Sequence, residues 1–512
     1  MAKTIMLQGT SSNVGKSVLA TGLCRILYRR GLKVVPFKAQ NMALNSFVTR
    51  QGGEMGRAQV VQAEAAGLEP QVEMNPILLK PTGNASSQVI LLGKPIGNMS
   101  AKEYHLDFNL RALEVIENCL RQFHRDYDVI VIEGAGSPAE VNLKHRDIAN
   151  MRIAKLARAP VVLVADIDRG GALASVVGTL ELLEPEEREL VAGIIINKFR
   201  GDLDLLRPAL DFLEKKTGKK VFGVVPYFRD FHIPEEDSVV LEEELAVIEG
   251  KKELDIAVLR VPRISNFTDF DPLAQEEDVT LRYVFEPRNL GEPDLIILPG
   301  SKNTIEDMIF LWESGLASAV RKLAKQGVPV IGICGGYQML GRKLIDPDNH
   351  DSFVEEVEGL GLLDTVTVFE ADKITRQVEA EAVGNLFLGE RAQGHRITGY
   401  EIHMGRTRLE ADLMPAFRIT RRGQEEVDLP DGAVRSDGRV WGTYIHGLFD
   451  NDVFRRTFLD VLRENKGLQK GAGTNFSAYD LRQQAYEQLA DLLEKSLDLD
   501  KLLETMGINY GT

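Results

Sequence analysis

Short apolar runs alternate with helical patterns almost from the first residue, and that alternation restricts the chain to very few folds. Ile5–Leu7, Val34–Val35, Val129–Ile132, Val161–Val164, Ile194–Ile196 and Val224–Val225 read as strands buried on both faces. Between the first two, Leu19, Leu23, Ile26 and Leu27 share one helical face that ends at Gly31. Strand–helix–strand alternation implies a parallel sheet covered by helices. A second α/β unit follows with Ile256–Leu259, Leu295–Leu298 and Val330–Ile333. Farther on, Thr365–Phe369 and Val440–Ile445 are expected to be antiparallel. After about Asp450 the pattern turns helical, and Ser477 with Asp480 forms a capping-box pair ahead of Leu481, Leu489, Leu492 and Leu493. This tail is expected to pack on the domain before it.

A length of 512 residues is a prior of two or three domains. The formal net charge of −15 argues against a nucleic-acid footprint, which needs clustered cations. No apolar run is long enough to span a bilayer, and the start leads straight into a strand without a leader pattern. Three cysteines, Cys24, Cys119 and Cys334, make no disulfide framework, as expected in a reducing cytoplasm. The expected partners are therefore small molecules, with neither nucleic acid nor membrane among them. The oligomeric state stays open, a homo-oligomer included.

Between the first strand and the first helix stands Gly9-Thr10-Ser11-Ser12-Asn13-Val14-Gly15-Lys16-Ser17. In that context backbone N–H groups point at phosphate oxygens, and the helix start favours anions. Lys16 would neutralise the terminal phosphates, and the Ser17 hydroxyl would hold Mg²⁺. Thr10 occupies the place of the upstream glycine, so the loop is a variant P-loop. Glu133, at the carboxyl end of Val129–Ile132, is placed to deliver an acid toward the metal, or to cap the next loop. Lys38, after the second strand, is either a further phosphate contact or a solvated lysine. Asn197, after Ile194–Ile196, is a candidate for base recognition. No tightly bound organic cofactor is expected.

A second chemical site is Val330-Ile331-Gly332-Ile333-Cys334-Gly335-Gly336-Tyr337-Gln338. A buried strand ending in a cysteine among glycines, with a helix after it, has the form of a nucleophile elbow. A sulfur near a helix start gains thiolate character. Cys24 and Cys119 lie inside amphipathic helices and read as core residues. Of the eight histidines, His446 is best placed as general base, after Val440–Ile445 and before Gly447; His403 is its competitor. The loop Leu298–Asn303 ends a strand at the same edge, and backbone N–H groups at Gly300 and Gly335 would suit an oxyanion hole, a plain turn being the alternative for the loop.

These motifs carry a resemblance. The N-terminal half, with GTSSNVGKS, Lys38 and IEGAG in order, resembles the dethiobiotin-synthetase-like P-loop proteins. The second half is similar to the class I glutamine amidotransferases of corrin-ring amidases. The resemblance implies an ATP-binding P-loop domain over 1–233 and a class I amidotransferase α/β domain over 251–450; between them the acidic, proline-led run over 234–250 reads as a linker or as a solvated helix face, and a helical tail follows over 451–512. It implies Thr10, Asn13, Gly15, Lys16, Ser17, Lys38 and Asn197 at ATP, and Ser17 and Glu133 at Mg²⁺. It further implies Cys334 as nucleophile, His446 as base, and Gln338 helping to hold glutamine. Most class I members carry a glutamate two residues after the histidine, where this chain has Leu448. What orients His446 is thus left open.

FKAQNMALNSF, GGEMGRAQ and MNPILLKP, with GYEIHMG and TYIHGLF, resemble one branch of the cobyrinic acid amidases. That branch implies ATP- and glutamine-dependent amidation of the b, d, e and g carboxylates of adenosylcobyrinic acid a,c-diamide, a corrinoid of the cobalamin route. The rival within the class amidates the a and c carboxylates. A rival outside it is a non-enzymatic P-loop partner with a degenerate amidotransferase domain.

Overall fold

The computed structural model describes all residues except 83–85, 105–107, 143, 235, 237–251, 387–390, 392, 411–412, 470–475 and 509–512. The expected linker over 234–250 therefore lies almost wholly outside the described residues. The chain divides into two compact units. The first comprises Met1–Met42, Met55–Pro234 and Leu481–Thr512; the second comprises Ala43–Glu54 and Glu235–Asp480.

The first unit is built on a six-stranded sheet in the order Lys220–Pro226, Val191–Phe199, Val161–Asp166, Lys3–Gly9, Val129–Glu133 and Val34–Phe37. All five pairings are parallel, so every strand delivers its carboxyl end to one edge. The helix Lys16–Arg29 covers one face with Leu19, Leu23, Ile26 and Leu27 buried, as their spacing predicts.

The second unit has a sheet in the order Val279–Val284, Leu254–Leu259, Leu295–Leu298, Val330–Ile333, Val440–Thr443 and Ala433–Val434. The expectation of an antiparallel strand over Val440–Ile445 holds in part, since Val440–Thr443 pairs antiparallel with Ala433–Val434. Val440–Thr443 runs parallel beside Val330–Ile333, whereas Ile445–His446 pairs antiparallel with Tyr400–Glu401. The chain changes sheet at Tyr444, which places His446 beyond the end of the strand next to the cysteine's own. Thr365–Ala382 is antiparallel to Arg396–Leu409, as expected, while Val366–Val368 also pair in parallel with Lys343–Ile345.

The division of the chain also differs from the expected boundaries. Helix Asp452–Asn465 belongs to the second unit, where buried Arg455 meets Glu276 at 3.0 Å and Arg463 meets Asp278 at 2.7 Å. From Leu481 onward the next helix, Ala478–Ser496, belongs instead to the first unit. Tyr486, Leu489 and Leu493 share a core with Leu19 and Leu23. Gly22 admits that packing, since a Cβ there would lie 2.3 Å from Leu493 Cδ1. The Ser477 hydroxyl does accept from the Asp480 N–H, at 3.2 Å. Least expected is Ala43–Glu54, an N-terminal segment that belongs to the second unit.

Candidate functional site

In the first unit the loop after Lys3–Gly9 closes tightly on itself. Asn13 has φ 59° and Gly15 φ 94°, left-handed values that turn the backbone toward the helix start. Gly9 is required as well, because a Cβ there would fall 2.8 Å from Lys16 Nζ and 2.6 Å from Ser11 O. Thr10 donates its N–H to Val164 O at 2.9 Å, tying the loop to the neighbouring strand. The Lys16 ammonium reaches Ser11 O at 3.2 Å and Gly136 O at 3.3 Å, and so spans the gap between the loop and the IEGAG turn.

Glu133 is the hub of this unit's site. Its Oε1 accepts from Ser17 Oγ at 2.9 Å and from Lys38 Nζ at 2.8 Å. Its Oε2 accepts from Gln62 Nε2 at 2.6 Å, with Gln59 Nε2 at 3.5 Å. Burial pushes this carboxyl up, but Lys38, Gln62 and Lys16 more than offset it and hold it below the usual carboxylate range. The sequence alternatives for Lys38 thus resolve in part: the side chain is buried and ion-paired, not solvated. Ser17 and Glu133 present a hydroxyl and a carboxylate side by side, the hard oxygen donors that Mg²⁺ takes along with phosphate oxygens and water.

Asn197, the candidate for base recognition, stands against the P-loop itself. Its Nδ2 donates to Val14 O at 2.8 Å, underneath the loop, and Gly15 packs directly on it. The side chain braces the cradle. Asn150 does the same for the IEGAG turn, donating to Ala135 O at 2.6 Å and accepting from Ala135 N at 3.1 Å.

In the second unit Cys334 joins Val330–Ile333 to the short helix Gly335–Leu340 with φ 51° and ψ −109°. A non-glycine residue at such φ is strained, as a nucleophile elbow requires. The glycines around it allow the turn: a Cβ on Gly336 would lie 2.0 Å from Leu298 O, and one on Gly335 2.9 Å from Ser301 N. Gly300 faces His446, its Cβ position 3.2 Å from the imidazole Cε1. The loop at Gly300 thus borders the imidazole, while Gly335 follows the thiol directly and packs on Ser301 of that loop.

His446 is fully buried and its Nδ1 lies 2.6 Å from Asp269 Oδ2; the other Asp269 oxygen accepts from Gly447 N at 3.1 Å. Burial alone would lower this imidazole's pKa, but the Asp269 carboxylate and the hydrogen-bonded Cys334 sulfur raise it well above the ordinary value. Thiol, imidazole and carboxylate form one relay. Burial pushes the other two thiols up, Cys24 strongly and Cys119 to about 12, which leaves them unreactive.

His403 does not reach a base's position. Its ring stacks on Tyr444 at 3.7 Å between centroids, and its Nε2 is 3.6 Å from Glu401, beyond hydrogen-bond length. Glu401 is instead held by both nitrogens of the Arg422 fork at 2.8 Å. Gln338 lines the same wall with its amide engaged at both ends. Its Oε1 accepts from Thr304 at 3.2 Å, and its Nε2 donates to Met404 O at 2.8 Å and Tyr444 Oη at 3.1 Å. Contact with glutamine would require exchanging one of these bonds.

Two family models match the chain. The CobQ/CobB/MinD/ParA nucleotide binding domain matches residues 5–240, and the CobB/CobQ-like glutamine amidotransferase domain matches residues 255–454. Cobyric acid synthase of Pelotomaculum thermopropionicum is 59% identical over 513 residues, covering 99% of this chain and 97% of that protein. The chain belongs to the cobyric acid synthase family. The cobyric acid synthase of Moorella thermoacetica is likewise 59% identical, with 99% and 98% covered. That of Carboxydothermus hydrogenoformans is 54% identical, with 99% and 100% covered. Membership thus extends over both units and the C-terminal helices, making this a glutamine-dependent amidotransferase with a nucleotide-binding half.

Two parts of the site carry no clear signal in the sequence. Gln59 and Gln62 are spaced as one face of the helix Arg57–Ala65, and nothing in that spacing marks them as partners of Glu133. Asp269 lies 177 residues before His446. Its one sign is the run Ser265, Asn266, Thr268 and Asp269, four polar residues buried in an otherwise apolar stretch.

Proposed function

We propose that this chain amidates the b, d, e and g carboxylates of adenosylcobyrinic acid a,c-diamide, using ATP and glutamine. Its full-length similarity to cobyric acid synthases supports that acceptor. The observation that carries the chemistry is the relay of Cys334, His446 and Asp269 in a chain that also holds a phosphate cradle.

A carboxylate is a poor acylating agent, because its leaving group would be oxide or hydroxide. Attack by an acceptor carboxylate oxygen on the γ-phosphorus of ATP gives an acyl phosphate and ADP. Lys16 and Lys38 stabilise the charge spread over the transferring phosphoryl group. Ser17 and Glu133 would hold Mg²⁺, which supplies further charge neutralisation there. Asn197 and Asn150 keep the two turns of the cradle in place.

In the second unit, Asp269 holds the imidazole Nδ1–H, so Nε2 is the nitrogen that exchanges a proton with the Cys334 thiol. The thiolate attacks the side-chain amide carbon of glutamine. Backbone N–H groups of Gly335 and of the loop at Gly300 receive the oxyanion. His446 returns the proton to the departing nitrogen, releasing ammonia and leaving a γ-glutamyl thioester. Water, deprotonated by His446, then cleaves the thioester to glutamate. Ammonia displaces phosphate from the acyl phosphate, and the amide results. The three free cysteines fit a reducing cytoplasm as the site of this work.

The test is mass spectrometry of adenosylcobyrinic acid a,c-diamide after incubation with ATP, Mg²⁺ and glutamine. Conversion of all four remaining target carboxylates to amides is expected. An unchanged a,c-diamide, with amidation seen only when cobyrinic acid is supplied instead and only at its a and c positions, would overturn the proposed acceptor.

A further inference from the structure

The segment Ala43–Glu54 leaves the first unit after Met42, and the chain returns to that unit at Met55. In between it is built into the wall behind His446. Asn266, with φ 52°, begins the turn that carries Asp269, and Asp269 N donates to Asn266 O at 3.0 Å. That left-handed residue is clamped by the segment from both sides. Its Oδ1 accepts from Ser46 N at 3.3 Å, and its Nδ2 donates to Ser46 O at 3.0 Å. One residue on, Phe267 N donates to the Asn45 side-chain Oδ1 at 3.1 Å. Asn45, Ser46 and Asn266 are all at most 2% exposed.

The same segment supports His446 from a second direction. Tyr400 stacks on the imidazole at 5.3 Å, and Phe47 meets Tyr400 edge-on at 5.0 Å. The Tyr400 hydroxyl donates to Ser46 O at 3.3 Å and accepts from Asn266 Nδ2 at 2.9 Å. Farther along, Val48 O accepts from Gln377 Nε2 at 3.0 Å, and Gly52 O accepts from Thr375 at 2.8 Å. Buried Glu54 pairs with Lys373 at 2.6 Å. A buried strap is anchored at several points, with the turn of Asp269 under its first residues.

We propose that Asn45 is a positioning residue of the glutaminase: through the Phe267 N–H, next to the clamp of Asn266 by the Ser46 backbone, it holds the turn that presents Asp269 to His446. The inference rests on the proposed roles of Asp269 and His446. Its mechanism is geometric. A buried hydrogen bond is costly to leave unmade, so the turn settles only where Asn45 and Ser46 satisfy it. The groups facing the imidazole are the Asp269 carboxylate, the Cys334 sulfur and the Tyr400 phenol ring; the turn carries the first, and Asn266 also donates to the Tyr400 hydroxyl, an uncharged neighbour.

The experiment compares glutaminase pH profiles of the full-length protein, of Asn45→Ala, of Asn266→Gly and of Asp269→Asn. Glycine at position 266 tolerates the left-handed backbone while deleting the clamp. Asp269→Asn removes the carboxylate that favours the imidazolium, so the alkaline limb should move about 1–3 pH units lower. Asn45→Ala and Asn266→Gly should move that limb in the same direction by a smaller step. Their kcat should fall about tenfold, with KM for glutamine within about twofold of the parent. Ammonia-dependent amidation should be retained, which excludes general misfolding. A reduced kcat with an unmoved alkaline limb in both clamp variants, while Asp269→Asn moves it, would overturn the positioning role alone. An unmoved limb in Asp269→Asn would overturn the relay on which the inference stands.

Discussion

The two sites on this chain use burial in opposite ways. At Glu133 the surrounding cations and amides win over desolvation, and a carboxylate is kept ionised among Lys38, Gln62 and Lys16. At His446 a carboxylate and a sulfur win over desolvation, and an imidazolium is favoured inside an apolar wall. In each case the buried charge is tolerated because groups of opposite charge or with matching hydrogen bonds were brought to it. The sources of those groups differ. The cradle draws on strand ends that a parallel sheet delivers to one edge, whereas the relay depends on a turn and a strap from remote parts of the sequence.

Replacing the nucleophile should separate the sites most sharply. Cys334→Ala is expected to lower glutamine hydrolysis by about 10⁴–10⁶-fold and to leave amidation with ammonium salts intact. Parallel assays with the two nitrogen donors would reveal any shared chemistry. Lys16→Ala attacks the other side, and amidation should drop about 10²–10³-fold with either donor. Retention of rate with ammonia would remove Lys16 from phosphoryl transfer.

Asp269→Asn should cost about 10–100-fold in glutaminase turnover, combined with the lowered alkaline limb. Gln62→Ala probes the opposite sign. The Glu133 carboxyl is held low, so the ionised form persists well into acid; without the Gln62 amide its pKa rises and the acid limb of amidation should move to higher pH. The Mg²⁺ concentration for half-maximal amidation should rise about tenfold. A smaller effect on activity is expected from Leu489→Ala. It should cost about 2–5 kcal/mol of stability in the first unit, read from urea unfolding, while the second unit keeps its glutaminase rate.

How much of this was visible in the sequence follows the same contrast. The cradle is contiguous: Gly9 through Ser17 announces its chemistry by spacing, and Glu133 follows from a strand end. Cys334 was legible because an elbow needs its glycines next to it. Asp269 was not, since no local rule links a residue in a short turn to a histidine 177 positions later. Its place is set by tertiary hydrogen bonds, and the departure at Leu448 marked only that some substitute had to exist. The helix from Leu481 was legible as a helix but not in its destination. That depends on Gly22 opening a slot for Leu493, a complementarity of shape that an amphipathic pattern cannot encode.

The strap over Ala43–Glu54 also decides how the molecule can be dissected. A polypeptide starting at residue 235 would retain Cys334, Asp269 and His446, yet Lys373 would lose the carboxylate 2.6 Å away and Asn266 would lose Ser46. Gene fission at the junction between the halves therefore yields a fragment with a hole in its catalytic wall. Complementation would need the donor fragment to carry residues 43–54, so the natural cut between the two activities is not a single point along the chain.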